Sequence, residues 1–229
     1  MRKLFIGTMA LSLTLAAQTT STTTERSVTA TGNATVSATP DKAALDLGVT
    51  TQASTAQAAS TQNATQVSSV IASLQGILGA TASIKTVSYS LTPVYSNYNV
   101  GQNPTIIGYA ATNIVEATIT DLTLIGKCID ASIAAGANNV NGITFGLQNP
   151  DPVTAQALKA AAASALNQAT AIASGLNVTL GGVLQASQVV TYTPLYVGVA
   201  NAPAAASTPV QPGNLQIGAS VTVQVAISQ

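Results

Sequence analysis

Apolar and polar residues alternate along several stretches of the chain, and this pattern predicts its strands. Residues 28–38 alternate apolar positions with threonine, serine and asparagine, and residues 43–49 repeat the alternation after Pro40-Asp41. The last run, residues 215–227, alternates without a break. A period of two is typical of strands with one buried and one solvated face, as in antiparallel sheets. The first two runs predict a hairpin that turns at Pro40-Asp41.

Two segments with helical periodicity interrupt the strands. The first follows Ser54-Thr55-Ala56-Gln57, which has the spacing of a capping box, and it carries an apolar stripe along residues 67–78. Gly79 supplies a left-handed stop. The second helix begins at Asp121, a residue type that favours the N-cap, and ends at Gly136.

A third and longer helix is predicted near residue 150. Asp151 is its expected cap, and Pro152 occupies the first helical position, where a missing N–H costs nothing. The helix continues to about Leu176, and its packing face is mainly alanine. Such a face allows the helix to approach its neighbour unusually closely.

The short segments between the helices also have interpretable patterns. Gly136-Ala137-Asn138-Asn139 predicts a helix stop, although its amides would also suit a small-ligand loop. Asn141-Gly142 predicts a turn. The remaining strands are expected at residues 83–95, 106–119, 143–147 and 182–192.

The predicted order of elements is β-β-α-β-β-α-β-α-β-β, which indicates an α+β protein. Paired strands separated by helices favour a two-layer sandwich, with three helices covering one face of a mostly antiparallel sheet. Two long connections, residues 96–105 and 197–214, join strands without predicted structure of their own, and we expect them to be mobile or to face a partner.

The first residues have the pattern of an export signal. Arg2 and Lys3 precede an apolar run over residues 4–17 that is too short to span a bilayer. We interpret residues 1–17 as a signal peptide, 18–26 as a Ser/Thr-rich linker and 27–229 as a single domain. No later segment has the length and hydropathy of a membrane span, so none is expected in the mature chain.

The composition disfavours most catalytic and binding chemistry. Charged residues make up 6% of the chain, far below the usual quarter, and there is no histidine. Ser-His and Cys-His catalytic pairs are therefore excluded, and ligands for a transition metal are almost absent. The few basic residues are scattered and form no stripe that would bind nucleic acid. We expect neither an enzyme, a metal site nor a cofactor.

Two chemical alternatives remain open. Cys128, the single cysteine, could act as a redox sensor, but its spacing places it on the apolar stripe of the second helix and predicts a buried thiol. A carboxylate pair could support weak hydrolysis, although no spacing favours one. The carboxylates considered are Asp41, Asp46, Glu116, Asp121, Asp130 and Asp151.

Tyrosine is the remaining signal. The chain has no tryptophan and two phenylalanines, yet its six tyrosines all lie in or beside the two long connections. Tyrosine is enriched at interfaces because its apolar ring ends in a polar hydroxyl. Tyr89 and Tyr109 could instead fill the core at strand ends. The residues predicted to form an oligomer interface or ligand loop are Tyr95, Tyr98, Tyr192 and Tyr196.

Several ordered motifs resemble one known family. They are IKTVSYSLTPVY at residues 84–95, GYAATNIVEATITDL at 108–122 and GKCIDASIAAGANNVNGITF at 126–145, followed by Pro-Asp and a long Ala-rich helix. This succession resembles the SIMPL (DUF541) family of bacterial envelope proteins. The resemblance implies a two-layer α/β fold and a periplasmic or cell-envelope location. It also implies ring- or channel-like homo-oligomers in some members, a link to oxidative-stress tolerance in others, and no established catalytic residues.

These observations lead to one main hypothesis. The chain is expected to be a non-enzymatic, exported envelope protein that assembles with copies of itself through sheet edges and tyrosine-bearing loops. Its long, regular last strand motivates this hypothesis, because such a strand needs a partner or a cover. The alternative is a monomeric binding module that uses the same loops for a small ligand or an envelope polymer, whose identity the residues do not reveal.

Overall fold

A computed structural model describes residues 25–96, 103–197 and 210–228. Its strands and helices account for most of these residues, and a short 3₁₀ turn (Leu122–Leu124) leads into α2. In chain order the elements are β1 (Ser27–Ala38), β2 (Lys42–Ala53), α1 (Ala56–Leu78), β3 (Ile84–Tyr95), β4 (Ile106–Ile119), α2 (Ile125–Ala134), β5 (Asn139–Gly146), α3 (Asp151–Gly175), β6 (Thr179–Thr193), β7 (Leu195–Val197) and β8 (Leu215–Ser228).

The strands form two antiparallel sheets. The three-stranded sheet has the order β1-β8-β6, and the five-stranded sheet has the order β3-β4-β2-β5-β7. Helix α3 lies against β1 and β8, whereas α1 lies against β2 and β4 and also contacts α2. The α+β sandwich and the order of elements are confirmed, with the short strand β7 as an addition. None of the helices in the described ranges combines the length and hydropathy needed to cross a bilayer.

The alternating runs place one apolar face of each central strand in the core. In β8 the odd positions from Leu215 to Val225 are buried, and the even positions remain partly or fully exposed. In β2, Leu45, Leu47 and Val49 are completely buried. These strands contribute to a single cluster of buried side chains that also includes α1, α2 and α3. The period-two pattern therefore predicted the buried faces correctly.

Helix α3 packs against its sheet through alanine. Its fully buried residues recur every four positions: Ala157, Ala161, Ala165, Ala169 and Ala173. Opposite them in β1 lies Gly32, where an added Cβ would lie 2.2 Å from the carbonyl oxygen of Ala161 and 2.2 Å from the amide nitrogen of Ala165. The predicted close approach of an alanine face is confirmed, and it needs a glycine on the sheet.

The predicted hairpin between the first two strands is wrong. β1 pairs with β8, and β2 pairs with β4 and β5, so that Pro40-Asp41 carries the chain from one sheet to the other. Asp41 explains the crossing, because its N–H donates to Gly146 O (3.2 Å) and its Oδ1 accepts from Gln148 N. These bonds hold residue 41 beside the end of β5 instead of folding β2 back onto β1.

The helix ends agree with the predictions except at three caps. Asp121 caps the 3₁₀ turn, while α2 itself begins at Ile125, with Leu124 at its N-cap. Thr55 rather than Ser54 caps α1, since its hydroxyl accepts from Ala58 N (3.2 Å). Asp151 is the first residue of α3 and not its cap, and its own N–H donates to Asn149 Oδ1 (3.1 Å). Gly79 and Gly136 both have positive φ, at 94° and 117°, which glycine adopts readily. The ψ of Gly79 is 159°, so it ends α1 in an extended conformation and not in the left-handed helical one.

The turn predicted at Asn141-Gly142 is also wrong, because both residues lie inside β5. Asp46 of β2 pairs with Gly142, while the next residue, Leu47, pairs with Val140. Asn141 is therefore the extra residue of a β-bulge, and Gly142 takes the positive φ (149°) there. A bulge and a turn require the same residue types, which is why local sequence did not distinguish them.

Candidate interaction surface at two sheet edges

Strand β6 forms one edge of the three-stranded sheet and is uncovered on both faces. Apart from Leu180, all of its residues from Thr179 to Thr193 are exposed. Its outward apolar side chains include Val183, Leu184, Val189, Val190 and Tyr192, and Val189 is 65% exposed. No charged residue follows Lys159 anywhere in the sequence, so β6 lacks the lysines and inward charges that usually block edge-to-edge pairing.

Strand β3 forms one edge of the five-stranded sheet and, like β6, is exposed along nearly its whole length. All but two of its twelve residues are exposed, including Val87, Tyr89 and Leu91. The Tyr89 hydroxyl donates to Ser60 Oγ of α1 (3.0 Å), so the side chain reaches the helix but remains exposed. Tyr89 therefore does not fill the core, which was the alternative interpretation of this residue.

The other two edges differ from these. The described part of the chain contains three residues of β7, and β1 has one face covered by α3. β6 and β3 are thus the long edge strands whose backbone groups and apolar side chains are both open to a partner. An exposed, long and apolar edge is a template for pairing with another chain.

The structure separates the tyrosines that the sequence grouped together. Tyr95 ends β3 beyond the Ala53 end of β2, and it is 52% exposed. Tyr192 lies near the opposite end of β2. Its hydroxyl is close to Gly146, where an added Cβ would lie 3.2 Å from it, and Gly146 pairs with Lys42, the first residue of β2. At 3.3 Å per residue, the length of β2 separates them by roughly 35 Å. One chain therefore does not combine them in a single site.

The other two candidate tyrosines are less completely defined. Tyr98 lies outside the described residues. Tyr196 belongs to β7, where its backbone pairs with Thr144 of β5, and its side chain is not described. The assignment of Tyr95, Tyr98, Tyr192 and Tyr196 to an interface stays a prediction.

A row of charged residues crosses the five-stranded sheet. Lys85, Glu116 and Asp46 are consecutive cross-strand partners on β3, β4 and β2. Lys85 Nζ lies 2.9 Å from Glu116 Oε1, while Asp46 Oδ1 is buried without a hydrogen-bond partner among the described residues. Desolvation, and then the charge of Glu116, raise the pKa of Asp46, and Lys85 opposes this shift. Both carboxylates were among those considered from the sequence, which did not reveal that they are neighbours.

This environment predicts the effect of Asp46→Asn on stability. A carboxyl whose pKa is higher in the folded than in the unfolded protein destabilises the fold when ionised, and this penalty disappears as pH falls through the raised pKa. We therefore expect Asp46→Asn to stabilise the protein at pH 7 and to have no effect near pH 3. Urea unfolding at both pH values measures this difference. An equal effect at both values would show that Asp46 does not carry the penalty.

Cys128 is completely buried in α2, as its apolar spacing predicted. Burial raises the pKa of its thiol, against a smaller opposing effect of Lys127. A thiol that is both inaccessible and protonated is poorly suited to sensing oxidants. The redox hypothesis therefore has no support in the environment of this residue.

The loop that precedes β5 also has a structural explanation. Asn138 Nδ2 donates to Thr50 O (2.7 Å), and its Oδ1 accepts from Thr50 N (2.9 Å). The amide thus imitates the backbone of a neighbouring strand and closes the end of β5 against β2. Its polar groups are occupied within the fold, which favours the helix-stop interpretation over a ligand loop.

Within the described ranges, no group of three or more His, Cys, Asp or Glu side chains could hold a metal ion. The same part of the chain contains two shallow cavities. One, of about 360 Å³, lies at the C-terminal end of α1 beside Asp121, and the other, of about 200 Å³, lies beside Val94 and Tyr109 at the end of the β3–β4 pair. Neither cavity is lined by a pair of carboxylates, since Asp121 is the one acidic residue that lines the larger cavity and no acidic residue lines the smaller one.

Comparison with known proteins agrees with the fold. The model of the SIMPL family, described as "Protein of unknown function (DUF541)", matches residues 28–225. The chain is 29% identical to the 26 kDa periplasmic immunogenic protein of Brucella melitensis over 170 residues, which cover 73% of this chain and 68% of the relative. It is 32% identical to YggE of Escherichia coli K12 over 152 residues, or 66% of this chain and 61% of YggE.

The match spans both sheets and all three helices, from the second residue of β1 to near the end of β8. The relatives named for their compartment are periplasmic, and this chain is likewise an exported, periplasmic protein. The chain belongs to the SIMPL (DUF541) family.

Proposed function

We propose that this protein is a non-enzymatic component of the cell envelope that assembles with copies of itself through the open edges of β6 and β3. The observation that carries the proposal is the exposure of both strands on both faces, with apolar side chains and without a charge on β6. Pairing with a second copy would satisfy the free backbone groups and bury these side chains together.

The separation of the tyrosines supports a particular kind of assembly. Tyr95 and Tyr192 lie about one strand length apart, at opposite ends of β2. If both take part, they contact different neighbours, as in a head-to-tail arrangement that closes into a ring or continues as a filament. A contribution to oxidative-stress tolerance would then arise from the assembled protein and not from the buried thiol of Cys128.

The experiment is the mass of the mature protein in solution, measured by size exclusion with light scattering over a range of concentrations. We expect a discrete species of several chains. Val189→Lys on β6 combined with Leu91→Lys on β3 should reduce it to a single chain, because a lysine on an open edge opposes pairing at little cost to the fold. Circular dichroism should show unchanged secondary structure.

Thr35→Lys on β1 is the matched control, since Thr35 is an exposed residue of an edge strand with one covered face. Its mass should equal that of the unmodified protein. A single chain at every concentration in the unmodified protein would contradict self-assembly. An oligomer that persists in the β6 and β3 double variant but dissociates in Thr35→Lys would move the interface to β1.

A binding module remains the second candidate, favoured by the cavity of about 200 Å³ beside the β3–β4 connection, which is lined by Val94, Ile107 and Tyr109 among others. If the protein is a monomer, a ligand-dependent rise in melting temperature would support this function.

A further inference from the structure

The larger of the two cavities lies where α1 ends. Four parts of the chain form its walls: the end of α1, the connection from α1 to β3, the end of β4 and the 3₁₀ turn. Its lining residues lie within 77–83 and 118–124, which the structure describes throughout. The volume of about 360 Å³ falls within the range of roughly 300–1,000 Å³ that is usual for small-molecule pockets. The cavity is therefore large enough for a small ligand.

Backbone hydrogen bonds fix the connection that forms one wall. Gly79 ends α1 with a φ of 94°, and Ala82 N donates to Gly79 O (3.1 Å), which closes a tight turn. Thr118 N of β4 then donates to Ser83 O (2.9 Å) and ties the connection to the five-stranded sheet. The shape of this wall therefore does not depend on a ligand.

The electrostatics of the cavity favour a positive charge. The carbonyl groups in the last turn of a helix have no partner within the helix, and the helix end carries about −0.5 of an elementary charge. The last turn of α1 contains no basic residue that would neutralise it. Asp121 is the charged residue among those that line the cavity. A helix end and a carboxylate thus both attract a cation to the same place.

The lining also provides oxygen atoms at a fixed position. Asp121 Oδ1 accepts from Thr123 N (3.1 Å) and from Thr123 Oγ1 (2.6 Å), so the 3₁₀ turn holds the carboxylate at the wall of the cavity. Hydroxyl groups line the same cavity, on Thr81, Ser83, Thr118 and Thr120. An ammonium group, which donates three hydrogen bonds and accepts none, suits such a set of acceptors.

The chemistry of the walls distinguishes an organic cation from a metal ion. Calcium takes six to eight oxygen ligands, usually with several carboxylates among them. Within the described ranges, no three acidic, Cys or His side chains come together, and Asp121 alone supplies a carboxylate to this cavity. Half-buried apolar side chains form the rest of the wall, those of Ile77, Leu78 and Leu124. They would contact an aliphatic chain but offer nothing to a hydrated metal ion.

We propose that this cavity binds a small organic cation, a primary amine on a short aliphatic chain. The ammonium group lies between Asp121 and the end of α1, and the aliphatic chain lies against Ile77, Leu78 and Leu124. Asp121 is exposed, so water and salt screen its charge, and the binding is weak and decreases with ionic strength. The proposal does not depend on self-assembly, because none of the lining residues belongs to β6 or β3.

The test is saturation-transfer NMR of the mature protein with n-butylamine, n-butanol and butyrate at pH 7. The three probes share an aliphatic chain and differ in the charge of the polar group. We expect the amine to bind roughly threefold or more tightly than the alcohol, and the carboxylate to bind least. Equal binding of the amine and the alcohol would overturn the proposal. Displacement of the amine by calcium, but not by sodium at the same ionic strength, would assign the cavity to a metal ion instead.

Asp121→Asn removes the charge and keeps an oxygen that can accept from Thr123 N, so the 3₁₀ turn should persist. We expect the affinity for n-butylamine to fall roughly threefold or more. Asp151→Asn is the matched control, since Asp151 is an exposed carboxylate at the start of α3, outside the cavity. Unchanged affinity in Asp121→Asn, or an equal loss in Asp151→Asn, would show that the cavity does not hold the amine.

Ser83→Lys tests the cavity without altering the cap of the 3₁₀ turn. Ser83 is exposed and lines the cavity, so the new side chain would place an ammonium group of the protein itself beside Asp121. We expect the binding of n-butylamine to be lost, while circular dichroism shows unchanged secondary structure. Full binding of the amine in this variant would overturn the proposal.

Discussion

Gly32→Ala is expected to destabilise the protein by about 3 kcal/mol, and thus to lower its melting temperature by about 6–12 °C. In most strands the same substitution is neutral or stabilising, because alanine restricts the unfolded chain more than glycine does. Here the added Cβ would lie 2.2 Å from two backbone atoms of α3, in Ala161 and Ala165. The steric clash in the folded protein therefore costs more free energy than the restriction of the unfolded chain contributes.

Neither of the two backbone atoms next to Gly32 can move away at a small cost in free energy. Both are main-chain atoms inside a 25-residue helix, so relief of the contact requires the whole of α3 to move away from β1 and β8. That movement would also loosen the buried alanines, whose methyl groups contact the sheet directly. A displacement of even half an ångström weakens many such contacts at once.

The matched control is Gly76→Ala, the same change at an exposed position of α1 where a Cβ would meet nothing within 4 Å. Alanine is the better helix former, so this variant should gain about 0.5–1 kcal/mol. Guanidinium unfolding followed by circular dichroism measures both changes. If Gly32→Ala were as stable as the unmodified protein, the close packing of α3 on β1 would be incorrect.

Local pattern was sufficient for the elements of this fold because most of them have one buried face. The alternation in β8 and the stripe of α1 each report burial within a few residues, and both were located correctly. The alanines of α3 predicted its close approach to the sheet. Their partner Gly32 lies more than a hundred residues earlier, and nothing in its neighbourhood indicates the contact.

The local sequence pattern does not show which distant strands pair with each other. β1 and β2 alternate on either side of Pro40-Asp41, as the strands of a hairpin would, yet Ser27 pairs with Ala226 at the other end of the chain. The difference depends on Asp41, whose bonds to Gly146 and Gln148 form only in the folded protein. The row of Lys85, Glu116 and Asp46 could not be predicted for the same reason, because these residues become neighbours only through the pairing register of β3, β4 and β2.

The sequence predicted what kind of surface would face a partner, but not which strand carries it. Sequence indicated that sheet edges and exposed tyrosines would face a partner, and it favoured the last strand as the one needing cover. The structure instead places β8 in the centre of its sheet, between β1 and β6. Regular alternation marks a strand with one buried face, whereas the open edge β6 has two exposed faces and a weaker pattern.

Asn63 is the polar residue whose loss should matter most. It is completely buried on α1, and its Nδ2 donates to Val49 O (2.8 Å) and Ala111 O (3.0 Å), so one amide joins the helix to both β2 and β4. Its Oδ1 has no partner among the described residues. A single donor group therefore bonds to carbonyls on two neighbouring strands.

We expect Asn63→Ala to cost about 2–4 kcal/mol, because it removes both buried hydrogen bonds and opens a small cavity. Asn63→Asp should cost more at pH 7, since a carboxylate would face two carbonyl oxygens in the core. Burial would raise the pKa of that carboxyl, so the excess cost should diminish as pH falls through the raised value and the protonated group regains one donor.

Gln62→Ala, on the exposed neighbour of Asn63, is the control and should change stability by no more than about 0.5 kcal/mol. Urea unfolding of the three variants at pH 7 and pH 4 tests the order of their stabilities and its dependence on pH. A cost for Asn63→Ala close to that of Gln62→Ala would mean that water replaces the amide and that packing alone holds α1 on the sheet. A cost for Asn63→Asp that does not change with pH would likewise show that the site is hydrated in the folded protein.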